Sequence, residues 1–219
     1  MDMKLTAFIA ALVVSLLTFS PLASAAAEPG VSPHQLVEEV TEKLLGDIAR
    51  YRDALDSAGG EKEKNALINQ FFDQLNSTLQ PVVDFPWIAL NVMGKHRKDA
   101  TPEQIADFTK AFTRGLVETY GRGLLSYSDQ KIVVIPASEA VGDKRRVTVR
   151  QEIQGADAKY PLLYSMGLNR KGEWKVVNVI INGINLGSTF RNQFAQAYAQ
   201  NNGDMDKVIA NWAAQVPQG

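Results

Sequence analysis

Few side chains in this chain could carry out covalent or acid–base chemistry, and their spacing argues against it. The 219 residues include no cysteine and two histidines. His34 falls in a helix-start pattern and His96 in a basic run, so neither has metal-ligand spacing. No G-x-S-x-G turn or P-loop is present, and Gly121-Arg-Gly123 lacks the context of a nucleotide-binding turn. The sequence therefore does not favour an enzyme that uses a nucleophilic side chain, a zinc ion or a bound nucleotide.

One carboxylate, Asp84, lies beside a strongly apolar segment. Apolar residues point to every side of the turn between Asp84 and Gly94, which is typical of a helix that is buried or lines an apolar space. Asp84 is interpreted either as the N-cap of that helix or as an acid facing a cavity. The N-cap interpretation is favoured because Gly94 stands where such a helix would end.

The helix that follows is predicted from a capping box at Thr101–Gln104 and an apolar stripe that runs to Tyr127. Its glycines (115, 121 and 123) indicate either close contact with a neighbouring element or room for a ligand chain. Similar start and stop signals predict the other helices. They are a helix opened by Ser32 and ended by Gly59, one over about residues 61–79, one opened by Ser188, and one opened by Asp204.

Between these helices the apolar period changes to two, which predicts strands. Four are expected, at residues 131–135, 145–153, 160–169 and 174–182. If Lys171–Gly172 is a two-residue hairpin loop, Met166 pairs with Val177 and Tyr164 with Val179. Those four side chains then share one face with Val147 and Val149. The expected fold is α+β, a curved four-stranded antiparallel sheet with N- and C-terminal helices.

The N-terminus is predicted to be a signal peptide. Lys4, an apolar run and Ala23-Ser-Ala25 place cleavage between Ala25 and Ala26, so export to the periplasm is expected. Residues 26–219 then form a single domain that must be stabilised by its core, because no disulfide is possible. The net charge of −1 excludes general attraction to nucleic acid or to an anionic membrane. Local basic clusters remain at residues 95–98 and 144–146.

The mature chain resembles the MlaC family, also called the toluene-tolerance Ttg2 family, of periplasmic phospholipid-binding proteins. The resemblance spans about Val31 to Trp212 and rests on the order and spacing of several pieces, none specific alone. Pro86 departs from it, since many relatives carry a basic residue there. The matching pieces are Val83–Phe85, Gly94, Ala100–Gln104, Phe108–Tyr120, Tyr127, Arg146–Arg150, Gly172–Val176, Asn182–Leu186 and Phe190–Phe194.

The resemblance implies a nuclear-transport-factor-like fold whose sheet and helices enclose an apolar cavity for lipid tails. It implies a periplasmic phospholipid carrier that shuttles lipid between the outer and inner membranes and maintains outer-membrane asymmetry. An inner-membrane ABC-type lipid transporter complex and an outer-membrane lipoprotein complex are the implied partners. We expect a monomer without catalytic residues or metal, with phospholipid as cargo and no other cofactor. The expected lipid-contacting residues are Phe85, Trp87, Leu90, Met93, Phe108, Phe112, Leu116, Val147, Val149, Tyr164, Met166, Val177 and Val179.

Two other interpretations stay open at this point. An isomerase or dehydratase on a similar cavity fold would need Asp84 buried opposite Tyr120 or Tyr164. A periplasmic chaperone would use the same apolar surface for unfolded chains. The expected apolar sheet face carries no lysine or arginine, so little head-group selectivity is expected from that face. The number of acyl chains, the direction of transport and the docking surfaces do not follow from the sequence.

Overall fold

The structure is a computed structural model that describes residues 31–126, 130–155 and 158–215. The predicted signal peptide and Tyr127 lie outside these residues. Helices come first, then strands, then helices again, as the sequence predicts. The elements are α1 (Pro33–Ser57), α2 (Glu61–Leu79), α3 (Phe85–Met93), a short 3-10 helix (Gly94–Lys98), α4 (Pro102–Leu125), β1 (Lys131–Val134), β2 (Arg146–Gln154), β3 (Lys159–Leu168), β4 (Trp174–Ile181), β5 (Ile184–Asn185), α5 (Leu186–Gln200) and α6 (Met205–Gln215).

Side-chain caps fix where most of the helices begin. The predicted caps Ser32, Thr101 and Asp204 each accept a hydrogen bond from a first-turn backbone N–H, which satisfies a group that the helix leaves unpaired. Thr101 forms the complete capping box. The prediction for α5 is wrong: the helix begins at Leu186, and its cap is Asn185, which accepts from the Ser188 N–H. The strand-like residues before Asn185 hide this start in the sequence.

The sheet is an antiparallel meander in the order β1-β2-β3-β4-β5. Four of its strands match the prediction, and β5 is a two-residue addition that the sequence did not reveal. A turn at Asn182 and Gly183 leads into it, with φ angles of 48° and 82°. Two consecutive positive φ angles are the geometry of a tight hairpin turn, which asparagine and glycine tolerate best.

The β3–β4 register departs from the prediction at one point. Tyr164 pairs with Val179 as expected, but Met166 pairs with Val176, because the register shifts between Ser165 and Met166. The extra residue on β4 is Val177. It points to the opposite face, since a Cβ on Gly167 would lie 3.4 Å from its side chain. The prediction that Val177 shares a face with Met166 is therefore wrong, and its physical cause is a β-bulge.

The two faces of the sheet are otherwise as predicted. Val149 is fully buried, and Val147 is half-buried on the same inner face, whereas Thr148 and Arg150 are exposed on the outer face. Helices α1 and α3 contact the strands. Helix α4 packs mainly on α6, α3 and α2, so it forms a second helical layer. The space beside α4 is therefore available to side chains or to a bound ligand.

Gly121 is required where α4 crosses α2. A Cβ at this position would lie 3.0 Å from the Phe72 ring and 3.1 Å from Leu75. Both side chains are buried, so they cannot yield easily. This supports the close-contact interpretation of Gly121 over room for a ligand.

We expect Gly121→Ala to lower the free energy of unfolding by about 1–2 kcal/mol, because overpacking outweighs the gain in helix propensity. Gly123→Ala is the matched control, since no atom lies within 4 Å of its Cβ position. It should raise stability by up to about 1 kcal/mol. Urea unfolding of both variants measures the difference, and equal effects at the two positions would contradict the close contact.

Candidate functional site

An open groove of about 1060 Å³ runs between α2 and α4 and ends at the start of α3. Its floor is apolar, and its walls are polar side chains of the two helices. At Gly121, α4 approaches Phe72 and Leu75 of α2 closely, and the groove lies beside this contact, with Phe72 in its lining. The apolar floor consists of Phe72, Val83, Phe85, Ile105 and Val117.

The groove carries charges of both signs along its rim. Asp73 lies on the α2 wall, and Lys110, Arg114 and Glu118 lie on the α4 wall. Arg114 forms an ion pair with Glu118, and this carboxylate raises the pKa of the Arg114 guanidinium. An apolar floor with a polar, balanced rim suits an amphiphilic molecule better than a strongly charged one.

Val83 connects the groove to the sheet. Its side chain lines the groove and also packs in the apolar cluster on the inner face. Its backbone forms a parallel bridge with Val176, and the Asp84 N–H donates to the Val176 carbonyl at 3.0 Å. The segment before α3 is therefore fixed to β4 as if it were a short extra strand. Apolar surface continues from the groove floor to the sheet through this one position.

A polar chain crosses the otherwise apolar inner face. Gln151, buried on β2, donates to the Thr41 hydroxyl on α1 and accepts from the Tyr164 hydroxyl on β3, both at 2.8 Å. Burial raises the pKa of Tyr164 to about 12. The Tyr164 hydroxyl donates to the amide oxygen of Gln151 and not to a carboxylic acid. These two hydrogen bonds connect α1 to the sheet, and the three side chains do not form an acid–base pair.

Because of Tyr164, the free energy of unfolding should decrease as the pH rises through the alkaline range. Its ordinary pKa is 10.0, so between pH 10 and about 12 the unfolded chain loses this proton while the folded protein keeps it. Stability conferred by the neutral phenol is complete below pH 10 and is lost as the pH rises towards 12. Two pKa units correspond to about 2–3 kcal/mol.

We expect Tyr164→Phe to cost about 1–2 kcal/mol at pH 8, because the buried Gln151 oxygen loses its donor. The gap to the unsubstituted protein should then close between pH 10 and 12. Urea unfolding at several pH values measures it. A gap that stays constant with pH would contradict the raised pKa.

The predicted lipid-contacting residues of α3 and α4 lie mostly in a dense helical core. Met93, Phe108 and Phe112 are at most 1% exposed. Phe108 makes edge-to-face contacts with Phe194 and Trp212, at ring distances of 4.8 Å and 5.2 Å. Leu116 packs at the edge of the same cluster. Phe108 and Phe112 are thus surrounded by other aromatic rings, and none of these four side chains lines the groove.

The predicted residues of the sheet form a second cluster with α1. Val149 and Met166 are buried in it, and Val147, Tyr164 and Val179 are half-buried at its border. Val177 lies on the outer face beside a separate pocket at the free end of β2. The predicted set therefore does not form one continuous surface. Lipid contact by its members stays a prediction.

Three predicted lipid-contacting residues of α3, namely Phe85, Trp87 and Leu90, lie in different surroundings from one another. Phe85 is buried and forms part of the groove floor. Trp87 is half-buried with the Arg146 guanidinium 5.7 Å from its ring centre, and Leu90 is half-buried. Asp84 accepts a hydrogen bond from the Trp87 N–H at 3.0 Å, so it is the N-cap, as favoured. Of the thirteen predicted residues, Phe85 alone lines the groove.

The sequence missed most of the groove. Phe72 and Ile105 look like ordinary core positions of amphipathic helices, and Val83 looks like a residue before a cap. No local pattern shows that a groove lies between α2 and α4. The available signal was Gly121, which indicates that the two helices approach each other closely.

The described residues provide neither a metal site nor a membrane-spanning helix. Over the described residues, no three histidine, aspartate or glutamate side chains lie close enough together to hold a metal ion. In the same part of the chain, no helix combines the length and apolarity needed to cross a bilayer. The His96 ring packs at a tilt against Tyr198, with ring centres 4.2 Å apart, so it contributes to the packing of the basic 3-10 helix on α5.

Comparison with known proteins identifies the family. The family model described as "MlaC protein" matches residues 49–214. The chain belongs to the MlaC family. It is also 41% identical over 203 residues to a curated relative, the toluene tolerance protein ttg2D of Pseudomonas putida, covering 92% of this chain and 87% of that one. The family resemblance predicted from the sequence is therefore confirmed.

A solved structure supports the same relationship at the level of the fold. It is a phospholipid-binding protein from Ralstonia solanacearum in complex with a phospholipid. The TM-score is 0.67 with 25% sequence identity, and the match covers 84% of this chain and 97% of the other. The mixed arrangement of helices and an antiparallel sheet is thus shared with a protein that holds a phospholipid.

Proposed function

We propose that this MlaC-family chain is a phospholipid-binding carrier. The observation that carries the proposal is the groove with an apolar floor, which leads through Val83 to the inner face of the sheet. The similarity to a solved protein in complex with a phospholipid supports the same conclusion. In this proposal the acyl chains lie along the floor and the head group stays at the polar rim.

The size of the hydrophobic effect defines how such a carrier must work. Two acyl chains bring about 30 methylenes, each worth about 0.8 kcal/mol when buried. The sum of roughly 24 kcal/mol exceeds the practical ceiling of roughly 18–21 kcal/mol for non-covalent affinity. Even after the costs of ordering the lipid, release into water would be very slow. Unloading therefore requires a membrane partner that opens the site.

From this we propose that the protein shuttles phospholipid between the inner and outer membranes and so maintains lipid asymmetry of the outer membrane. An inner-membrane transporter complex and an outer-membrane lipoprotein complex would load and unload it. No enzymatic step is needed in this scheme. Asp84 is occupied as a helix cap, and Tyr164 is bonded to an amide, so neither supports the isomerase or dehydratase alternative.

The test is to purify the protein, denature it, extract it into organic solvent and identify the released molecules by mass spectrometry. Phospholipid close to one molecule or more per chain is expected. A small polar metabolite in place of lipid would favour an enzyme, and the absence of any small molecule would favour a chaperone of unfolded chains.

We further propose that the chain is exported to the periplasm and cleaved between Ala25 and Ala26, leaving residues 26–219 as one domain. The Ala23-Ser-Ala25 sequence after an apolar run supports this. N-terminal sequencing of the osmotic-shock fraction should begin at Ala26. Recovery only in the membrane fraction with Lys4 still present would refute the cleavage.

A further inference from the structure

A second cavity, of about 650 Å³, lies at the free end of β2 and shares no lining residue with the groove. Strand β1 pairs only with Gln151–Gln154, so the first half of β2 has no neighbouring strand on that side in the described part of the chain. The segment 135–144 passes around this edge and forms the far wall of the cavity. Residues of both sheet faces line it, as expected of a site at an edge.

The backbone along this edge has unused hydrogen-bonding groups. The Ile135 N–H donates to the Arg150 carbonyl at 2.8 Å, so Arg150 points its backbone groups towards the β1 side. The Leu168 N–H donates to the Arg145 carbonyl, so Arg145 points towards β3. Because this direction alternates along an antiparallel strand, Thr148 and Arg146 also point to the β1 side. Among the described residues neither has a backbone partner there.

The side chains around the edge are cationic. Lys144, Arg146 and Arg150 line the cavity and are exposed, and Glu139 is its acidic member. Lys144 pairs with Glu139, and Arg150 pairs with Glu152 outside the cavity. Arg146 lies over the Trp87 ring. The basic cluster at residues 144–146, singled out in the sequence, therefore surrounds unpaired strand backbone.

We propose that the free edge of β2 at Arg146–Arg150 binds an extended acidic segment of a partner protein by adding it to the sheet as a strand. The Thr148 N–H and carbonyl would pair with the backbone of that segment, and the arginine and lysine side chains would pair with its carboxylates. Val147 and Val177, on opposite faces, offer apolar contacts to its alternating side chains. No residue that lines this cavity lines the groove, so the two sites are distinct.

Edge strands often carry arginine or lysine only to prevent aggregation. In that case the edge would bind no added strand, whatever the charge of that strand. The two explanations differ in one respect, because strand addition requires the Thr148 N–H. Proline at an edge position removes an outward N–H without disturbing the ladder on the other side.

The experiment uses the purified full-length protein and a soluble six-residue peptide of alternating valine and glutamate, with binding measured by calorimetry and by amide chemical shifts. We expect binding that weakens with salt, with shifts along Arg146–Arg150. Thr148→Pro should reduce affinity at least tenfold. Thr148→Val, which keeps the N–H, should leave affinity within twofold. Arg150→Gln should weaken binding severalfold.

Thermal midpoints of the variants and their lipid-to-protein ratios are measured in parallel. Both should match those of the unsubstituted protein, which separates this proposal from the lipid-carrier proposal. Equal affinity of Thr148→Pro and Thr148→Val would overturn strand addition. Equal binding of a valine–lysine peptide would overturn the preference for acidic segments. Binding of phosphatidylglycerol vesicles without binding of the peptide would show a lipid-facing surface instead.

Discussion

Thr113→Trp should lower the amount of phospholipid that co-purifies with each chain by about half or more. Thr113 is half-buried on α4 and lines the groove. An indole at this position occupies space above the apolar floor that an acyl chain would otherwise fill. Because the added volume enters an open groove and not a packed interior, it should avoid the about 1–3 kcal/mol that overpacking typically costs.

The controls for this result come from exposed alanines. Ala106→Trp also lines the groove and should reduce lipid content to a smaller extent, because Ala106 lies near the rim. Ala195→Trp places the same bulk on the exposed face of α5, away from the groove, and should change nothing. The measurements are lipid phosphorus per protein and the thermal midpoint of the delipidated variants. Full lipid content in Thr113→Trp would show that the lipid lies elsewhere.

A second pair of variants, at Val147 and Thr148, tests whether acyl chains extend from the groove to the inner face of the sheet. Val147 is half-buried on the inner face, whereas Thr148 is exposed on the outer face. If acyl chains extend past Val83 to the sheet, Val147→Trp should lower lipid content and Thr148→Trp should not. The fully buried Val149 is a poor site for this test, because bulk there would disturb packing directly.

Local signals in the sequence were sufficient for most of the elements. Caps such as Ser32 and Thr101, and stops such as Gly94, act within one helical turn, so they could be read without knowing the neighbours. The period-two alternation around Val149 likewise assigned the inner face of β2 correctly, because a strand with one buried face has only one consistent register. These predictions depend on contacts that are close in sequence.

The errors lie where the outcome depends on partners distant in sequence. The bulge at Val177 adds one residue that apolar alternation does not reveal, since valine suits both faces. The short strand β5 exists because the turn at Asn182 and Gly183 returns the chain to β4. The groove depends on the angle between α2 and α4, which side chains on both helices decide together. In each case the missing information is tertiary.

The aromatic residues of α4 also depend on partners that are distant in sequence, and their contact with lipid stays a prediction. Phe108 and Phe112 recur at helical spacing on an apolar face, which is equally typical of a packed core and of a lipid pocket. The family resemblance favoured the pocket. In the structure their rings contact one another at 5.7 Å and close on Phe190, Phe194 and Trp212. These partners come from α5 and α6, and nothing in the local pattern of α4 indicates them.

Phe108→Ala should therefore lower the free energy of unfolding without lowering the lipid content of the folded protein. The side chain is 0% exposed, so its removal leaves a cavity among aromatic rings, and we expect a loss of about 3–5 kcal/mol in the free energy of unfolding. Tyr120→Ala on the same helix is the control: its side chain is 40% exposed, and its loss should cost no more than about 1 kcal/mol. Urea unfolding of delipidated protein gives both values.

Lipid content per folded molecule then decides the role of Phe108. If this side chain belongs to the core, Phe108→Ala at low temperature should keep its full lipid load while it unfolds more easily. If it contacts an acyl chain, stability of the delipidated protein should change little and the lipid load should fall. Phe108→Leu sharpens the distinction, because it keeps most of the apolar volume. In a core it recovers part of the lost stability, and in a pocket it recovers lipid.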